Sequence, residues 1–152
     1  MLLTATCTYQ DAQEIRSSLE ILMENFSMIR GSSFDRKEIV IEAYKRKDNR
    51  QNFLNDLLDL IKKYKEGRII IYCAIQSGCN DLFEMLQPLL PDDDLNIYHG
   101  GLEDRQRECI ISKWKDGKIR IMIGTNAFGM GINSSNVYLI IHCVSPLSIS
   151  TF

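Results

Sequence analysis

The sequence predicts a three-layer α/β domain in which helices cover both faces of a mostly parallel sheet. Short apolar runs alternate with segments of helical periodicity almost throughout the 152 residues, a pattern typical of right-handed β–α–β crossovers. The runs Arg68–Cys73 and Ile119–Ile123 are rich in isoleucine, as expected of buried strands. The length favours one domain, and 45% hydrophobic with 25% charged residues is an ordinary globular balance.

The first third of the chain is predicted to hold one helix and two short strands. Thr8 and Asp11 resemble a capping box. A helix is expected from Tyr9 to about Asn25, because its apolar residues recur at helical spacing: Ile15, Leu19 and Leu22. Ser27–Arg30 and Ile39–Tyr44 are predicted to be strands on either side of a polar turn.

From residue 51 onward, helices and strands alternate regularly. The predicted helices are Gln51–Tyr64, Gly78–Leu90 and Glu103–Lys115. The predicted strands are Arg68–Cys73, Leu95–Tyr98, Ile119–Ile123 and Val137–Cys143. Gly67 is expected to end the first helical unit, Ser77 to cap the second helix, and Trp114 to pack in the core.

Composition and missing motifs exclude several classes of function. The net charge of −2 provides no global basic surface for nucleic acid, and no apolar run reaches the roughly 18 residues of a membrane span. Five cysteines without a Cys-x-x-Cys pair argue against disulfides or zinc and fit a nuclear or cytosolic protein. Without a phosphate loop or an Asp-Glu pair after a strand, no catalytic or metal-binding residue is assigned.

Polar and glycine residues follow several predicted strands, where open α/β sheets bind phosphorylated ligands. Thr125 and Asn126 offer a hydroxyl and an amide, and Ser77 lies at a predicted helix start. Four glycines are expected to allow close backbone approach and positive φ: Gly100, Gly101, Gly129 and Gly131. Arg105 and Arg107 would add local positive charge. Simple turn and cap roles for these residues, and a hydrogen-bonded loop role for His99, remain alternatives.

Six stretches, in a fixed order, resemble the motifs of RecQ-type DNA helicases. They are Leu3-Thr4-Ala5-Thr6, Ser33-Phe34-Asp35-Arg36, Ile70-Ile71-Tyr72-Cys73, Tyr98-His99-Gly100-Gly101-Leu102, Thr125-Asn126-Ala127-Phe128-Gly129-Met130-Gly131-Ile132, and Ile141-His142 followed by Pro146-Leu147-Ser148-Ile149. This resemblance implies a RecA-like fold of the P-loop NTPase type. Residues 1–30 would hold an interlobe motif and the end of a first lobe, and residues 31–152 a second lobe that is incomplete at its carboxyl end.

The resemblance also implies a function. The parent enzyme would hydrolyse ATP with Mg²⁺, move 3′ to 5′ on single-stranded or junction DNA, and serve DNA repair or recombination in the nucleus. Its first RecA-like lobe would be the partner of this chain, which would be inactive alone. The expected nucleic-acid-binding residues are Ser77, His99, Gly100, Gly101, Thr125 and Asn126. The expected nucleotide or interlobe residues are Thr4, Ala5, Thr6, Gly129, Gly131 and Asn133.

The chain departs from the family pattern at several positions, and other interpretations stay open. Asn133 replaces an aspartate and would pair less strongly with an arginine, while Ile75 and Gln76 replace a Ser-Arg pair and remove a cation. The chain would then be either a piece of a longer active helicase or a non-catalytic nucleic-acid-binding remnant. An unrelated doubly wound enzyme for a small phosphorylated ligand is the third possibility.

Overall fold

The computed structural model describes residues 7–29, 37–45, 49–91, 94–129, 134 and 136–143. The chain divides into two compact units, Met1–Tyr44 and Lys45–Phe152. The motif-bearing segments Leu3–Thr6, Ser33–Arg36 and Pro146–Ile149, together with Gly131 and Asn133, lie outside the described residues. The lobe boundary expected between residues 30 and 31 stays a prediction.

In residues 7–29 and 37–44, the described part of the first unit, one α-helix is present, α1, from Tyr9 to Ser18. Its predicted capping box is confirmed, because the Thr8 hydroxyl accepts from the Asp11 amide while the Asp11 carboxylate accepts from Thr8. The helix ends earlier than predicted. Glu20 adopts a left-handed φ of 53°, and the Ile21 and Glu20 amides donate to the Arg16 and Ser17 carbonyls, which is the Schellman arrangement. A short 3-10 turn follows at Met23–Asn25.

The two strands predicted in the first unit were wrong. Neither residues 27–29 nor residues 39–44 form a strand. Their apolar side chains are exposed, with Ile29 at 96% and Val40 at 79%, and the helical stripe at Ile15, Leu19 and Leu22 is exposed as well. Segments rich in β-branched residues suit a pleated, half-buried surface. Among the described residues, no neighbouring strand provides such a surface for these two segments.

The second unit contains a four-stranded parallel sheet in the order β2-β3-β1-β4. The strands are β1 (Arg68–Tyr72), β2 (Leu95–Tyr98), β3 (Ile121–Gly124) and β4 (Val137–His142). The helices between them are α2 (Arg50–Lys63), α3 (Gln76–Leu86) and α4 (Asp104–Lys115). The predicted alternation and the parallel α/β class are confirmed, with boundaries shifted by one or two residues except at the end of α3. There Gln87–Leu89 form a 3-10 turn.

Alternate residues of β1 and β3 face opposite sides of the sheet and build two cores. Ile69, Ile71, Ile121 and Ile123 pack against α2 and α3. On the other face, Ile70 and Met122 pack with Trp114 of α4, which is 1% exposed. The three layers follow from strands that are apolar on both faces, and the core position predicted for Trp114 is confirmed.

The sheet edge at β2 satisfies one of its own backbone donors. The amide of Ile97 donates to the side-chain oxygen of Asn96 at 2.9 Å. The Asp94 and Tyr98 carbonyls accept from β3 and from the residue after it, so the alternate residue Ile97 has its amide directed away from β3. An amide on the unpaired side of an edge strand is therefore already occupied.

The helix starts are capped differently from one another. Asn49 caps α2, since its side chain accepts from the amides of Gln51 and Asn52. Ser77 was predicted to cap α3, and this was wrong: Ile75 is the N-cap residue and provides no side-chain bond, while Ser77 is the second residue of the helix. Among the described residues, no helix combines the length and apolar character needed to cross a bilayer.

The cysteines are all free thiols. Cys79 is fully buried at the start of α3, and Cys73 follows β1. A hydrogen bond with Cys73, together with burial, raises the pKa of the Cys79 thiol. Buried thiols with raised pKa are poor nucleophiles, so this pair acts as small apolar core residues.

Candidate nucleic-acid interface

The carboxyl ends of the parallel strands are level with one another. Gly124, the last residue of β3, pairs with Tyr72 at the end of β1 and with Tyr98 at the end of β2. Tyr72 in turn pairs with His142 at the end of β4. Because the strands are parallel, the loops that follow β1, β2 and β3 all leave from this edge, and open α/β sheets bind ligands there.

The loop after β2 is a tight turn built around a buried histidine. The Leu102 amide donates to the His99 carbonyl at 3.2 Å, which closes a four-residue turn. His99 is 5% exposed. Its Nδ1 atom accepts from the Gly101 amide at 3.2 Å, and its Nε2 atom lies 3.2 Å from Oδ1 of Asn80 in α3. Both polar atoms of the His99 ring therefore bond within the protein, while Gly100 and Gly101 are exposed.

The amino end of α3 lies against this turn. A Cβ atom on Gly101 would be only 2.5 Å from Oε1 of Gln76, the first residue of α3. The first intrahelical bond is from Cys79 to Ile75 at 3.3 Å, which leaves the amides of Gln76 and Ser77 without a helix partner. Unpaired amides at a helix start carry partial positive charge.

The loop after β3 is anchored from below by aromatic packing. Phe128 is fully buried, with ring centroids 5.3 Å from Tyr98 and 5.4 Å from Trp114. The Thr125 amide donates to the Tyr98 carbonyl at 3.3 Å, and the Phe128 amide donates to the Thr125 carbonyl at 2.9 Å. The Thr125 side chain makes no cap bond to the 3-10 turn Asn126–Phe128, and Asn126 is exposed.

Gly129 was expected to adopt positive φ, and so were Gly100 and Gly101, but none of the three does. Gly129 has φ −79°, and the described glycines with positive φ are Gly67 and Gly117, which sit in turns at the opposite ends of strands. Gly129 instead allows the loop backbone to approach Tyr72 closely, because a Cβ on Gly129 would lie 3.1 Å from the Tyr72 hydroxyl.

Tyr72 and His142 form a stacked pair under this loop. Their ring centroids are 5.1 Å apart and their planes differ by 29°. Burial raises the pKa of the Tyr72 phenol and lowers the pKa of the His142 imidazole, so both side chains favour their neutral forms.

The local charge is weaker than the sequence suggested. Arg107 was expected to contribute a free cation, but Asp104 bonds to it and raises the pKa of its guanidinium. Arg105 is exposed on the same helix. The positive charge that α4 adds near this edge is therefore smaller than its two arginines alone would give.

The structure places the six expected nucleic-acid residues at one edge of the sheet, in the turns after β2 and β3 and at the start of α3: Ser77, His99, Gly100, Gly101, Thr125 and Asn126. It also adds Asn80, which the sequence did not single out. Asn80 is four residues after Gln76 and three after Ser77, a spacing that puts the three side chains on one helix face. This helical spacing is the feature of the sequence from which Asn80 could have been predicted as part of the site.

Among the expected nucleotide or interlobe residues, only Gly129 falls within the described part. No three His, Cys, Asp or Glu side chains of the described residues come together as metal ligands. Magnesium prefers oxygen ligands that include carboxylates.

Comparisons with known proteins agree with this architecture. The model of the helicase conserved C-terminal domain matches residues 49–152, more than half of the chain. The chain is 32% identical to the ATP-dependent DNA helicase RecQ of Pasteurella multocida, over all of this chain and 23% of that protein. It is 34% identical to the ATP-dependent DNA helicase Q-like 5 of Arabidopsis thaliana, over 99% of this chain and 16% of that protein.

A proposed ATP-dependent RNA helicase of Acanthamoeba polyphaga mimivirus is 31% identical, over 99% of this chain and 26% of that protein. The chain thus spans about a quarter or less of the length of these relatives. Among solved structures, Saccharomyces cerevisiae Dbp5 bound to RNA and ADP BeF3 superposes with a TM-score of 0.69 at 20% identity, covering 97% of this chain and 36% of that one, which supports the fold. The chain belongs to the helicase conserved C-terminal domain family, and over its whole length it is similar to RecQ-type DNA helicases.

Proposed function

We propose that this domain is the second motor lobe of an ATP-dependent 3′–5′ DNA helicase. It grips single-stranded or junction DNA and couples that grip to a first RecA-like lobe. Residues 31–152 would form the lobe, and Thr4–Thr6 with Gly129, Gly131 and Asn133 would face the other lobe and the nucleotide. ATP and Mg²⁺ would be bound chiefly by the rest of the enzyme.

The observation that carries this proposal is the level edge at which three loops leave β1, β2 and β3. Each loop offers a donor that suits a phosphate: the Ser77 amide and hydroxyl, the Gly100 amide and the Thr125 hydroxyl. Backbone and hydroxyl donors hold a sugar–phosphate chain without reading its bases. A motor that moves along any sequence needs this kind of contact.

The charge distribution supports weak binding of DNA by this lobe alone and tighter binding together with the first lobe. The chain has a net charge of −2, and Arg107 is already paired with Asp104. A lobe that holds DNA through about three phosphates would show a log–log salt slope near −2, since each phosphate contributes about −0.7 on single strands. Tight binding would require the partner lobe to close over the same strand.

The test is binding of the purified chain to a labelled oligothymidylate, followed by fluorescence anisotropy from about 50 to 200 mM salt. Thr125→Ala removes one hydroxyl and should weaken binding about 2–10-fold, the equivalent of one hydrogen bond. Ser77→Ala should do the same. Ser112→Ala is the matched control, because Ser112 is an exposed serine near the opposite end of α4 and should leave the affinity unchanged.

Three outcomes would contradict parts of the proposal. Unchanged affinity in both Thr125→Ala and Gly101→Asp would mean that these loops do not contact DNA. Tighter binding to oligouridylate than to oligothymidylate would favour an RNA motor, the class named for the mimivirus relative. ATP turnover by the purified chain above a no-protein control would show that hydrolysis does not need a second lobe, whereas charge stabilisation from both lobes predicts none.

A further inference from the structure

The turn after β2 is tied to α3 by a relay of two partly buried hydrogen bonds that share the ring of His99. Asn80 Oδ1 lies 3.2 Å from Nε2 of His99, and the Gly101 amide lies 3.2 Å from Nδ1 of the same ring. Asn80 is exposed on α3, whereas His99 is 5% exposed. The relay joins two of the loops at the edge that carries the candidate interface.

The chemistry of the partners fixes the tautomer of His99. A backbone amide can only donate, so Nδ1 must be the unprotonated acceptor. In a neutral imidazole the proton is then on Nε2, and it needs an acceptor, which Asn80 Oδ1 provides. The two bonds therefore depend on each other, because a proton on Nδ1 would remove the acceptor for Gly101.

The bonds made by His99 determine which backbone amide of the turn remains available to a ligand. The Gly101 amide is occupied by His99, and the Leu102 amide by the His99 carbonyl. The Gly100 amide makes no hydrogen bond to any described residue. Of the three amides in this turn, only that of Gly100 is left to face a ligand.

We infer that Asn80 is a positioning residue. It holds His99 in the Nε2–H form, and His99 in turn orients the turn so that the Gly100 amide, and not that of Gly101, is presented to a phosphate of the bound strand. This inference rests on the proposed nucleic-acid function only for its last step. The tautomer and the Gly101 bond are properties of the free chain.

The experiment compares the purified wild-type chain with Asn80→Ala, Asn80→Asp and the control Asn55→Ala. Asn55 is an exposed helical asparagine of α2 whose side-chain bond within the described part of the chain is local, to Gln51. Long-range ¹⁵N–¹H correlation reports the tautomer, and the presence of only two histidines makes assignment direct. Hydrogen exchange at the Gly101 amide and binding to oligothymidylate complete the measurements.

The wild-type chain and Asn55→Ala should show the Nε2–H tautomer and a protected Gly101 amide. Asn80→Ala should mix the tautomers, speed exchange at Gly101 and weaken DNA binding about 2–10-fold, the range of one lost hydrogen bond. Asn80→Asp keeps an acceptor and should retain the tautomer and the Gly101 protection.

An unchanged tautomer and unchanged Gly101 exchange in Asn80→Ala would overturn the relay. An altered tautomer with full DNA affinity would overturn the positioning role. If the wild-type chain itself fails to bind DNA, the proposed function fails, and the tautomer and exchange data still decide whether Asn80 controls the turn.

Discussion

Gly124 is a position where a single added methyl group should disturb the candidate interface, because the nearest atom it would meet belongs to the backbone of β2. It ends β3 and is the last residue before the Thr125–Gly129 loop. The backbone is fixed here by hydrogen bonds to both flanking strands: the Gly124 carbonyl accepts from the Cys73 amide, and the amide of the next residue, Thr125, donates to the Tyr98 carbonyl. Gly124→Ala should therefore destabilise the sheet edge as well as the loop.

The size of the effect follows from the space around the residue. A Cβ on Gly124 would lie 2.9 Å from the Tyr98 carbonyl oxygen and 3.0 Å from Cβ of Phe128. Close carbon–oxygen contacts in sheets are usually about 3.3–3.6 Å, so β2 and the buried Phe128 would both have to move. Overpacking of this kind costs about 1–3 kcal/mol, or roughly 2–12 °C in Tm for a chain of about 150 residues.

Urea denaturation followed by circular dichroism measures the change, with an unchanged m-value as the sign that only stability differs. Gly78→Ala is the matched control. A Cβ on Gly78 would meet its nearest neighbours at 3.8 Å, and alanine is the better helix former by about 0.5–1 kcal/mol. A Gly124→Ala chain as stable as the wild type would refute the steric argument, and so would equal losses in the two variants.

Two further predictions concern the residues beneath the loops. Phe128→Ala removes a fully buried ring that packs on Tyr98 and Trp114 and should lower the free energy of unfolding by about 3–5 kcal/mol; a thermal melt that does not shift would contradict it. Burial lowers the pKa of His142, so its contribution to stability should be complete above the unfolded-state value near 6.5 and be lost as the pH falls through the lower folded-state pKa. An NMR titration of the His142 ring that gives a midpoint at or above 6.5 would contradict this second prediction.

The second unit was predictable from sequence because its strands are buried on both faces. Ile69–Ile71 and Ile121–Ile123 pack into cores on either side of the sheet, so their apolar runs were unambiguous strand signals. The helices between them had clear apolar stripes, and the boundaries moved by a residue or two because helix ends depend on local caps.

The first unit was harder because propensity was the only signal. Ile39–Tyr44 has the composition of a strand, yet the described structure gives it no ladder. A strand exists only with a partner, and the sequence pattern of one segment does not name its partner. The end of α1 depends on Glu20 in a left-handed conformation, which is uncommon for a residue with a side chain and is not signalled by helical periodicity.

The loops of the candidate interface were located by sequence, but their internal bonding was not. The contact between His99 and Asn80 joins positions 19 residues apart and leaves no periodic trace. The cap expected at Ser77 failed because α3 begins two residues earlier than predicted, after the apolar N-cap Ile75. The space requirement at Gly124 arises from β2 and Phe128, neither of which is adjacent in sequence.

The bond between the Asn96 side chain and the Ile97 amide has a consequence for how this domain behaves in a crowded solution. An open edge strand is a template on which another chain can grow, and natural proteins disarm such edges. On β2 the side-chain oxygen of Asn96 accepts from the Ile97 amide at 2.9 Å and so blocks that donor from pairing with another strand. A strand from another molecule must displace that oxygen before it can pair with β2. The bond therefore disfavours edge-to-edge aggregation without a bulge or break in the strand.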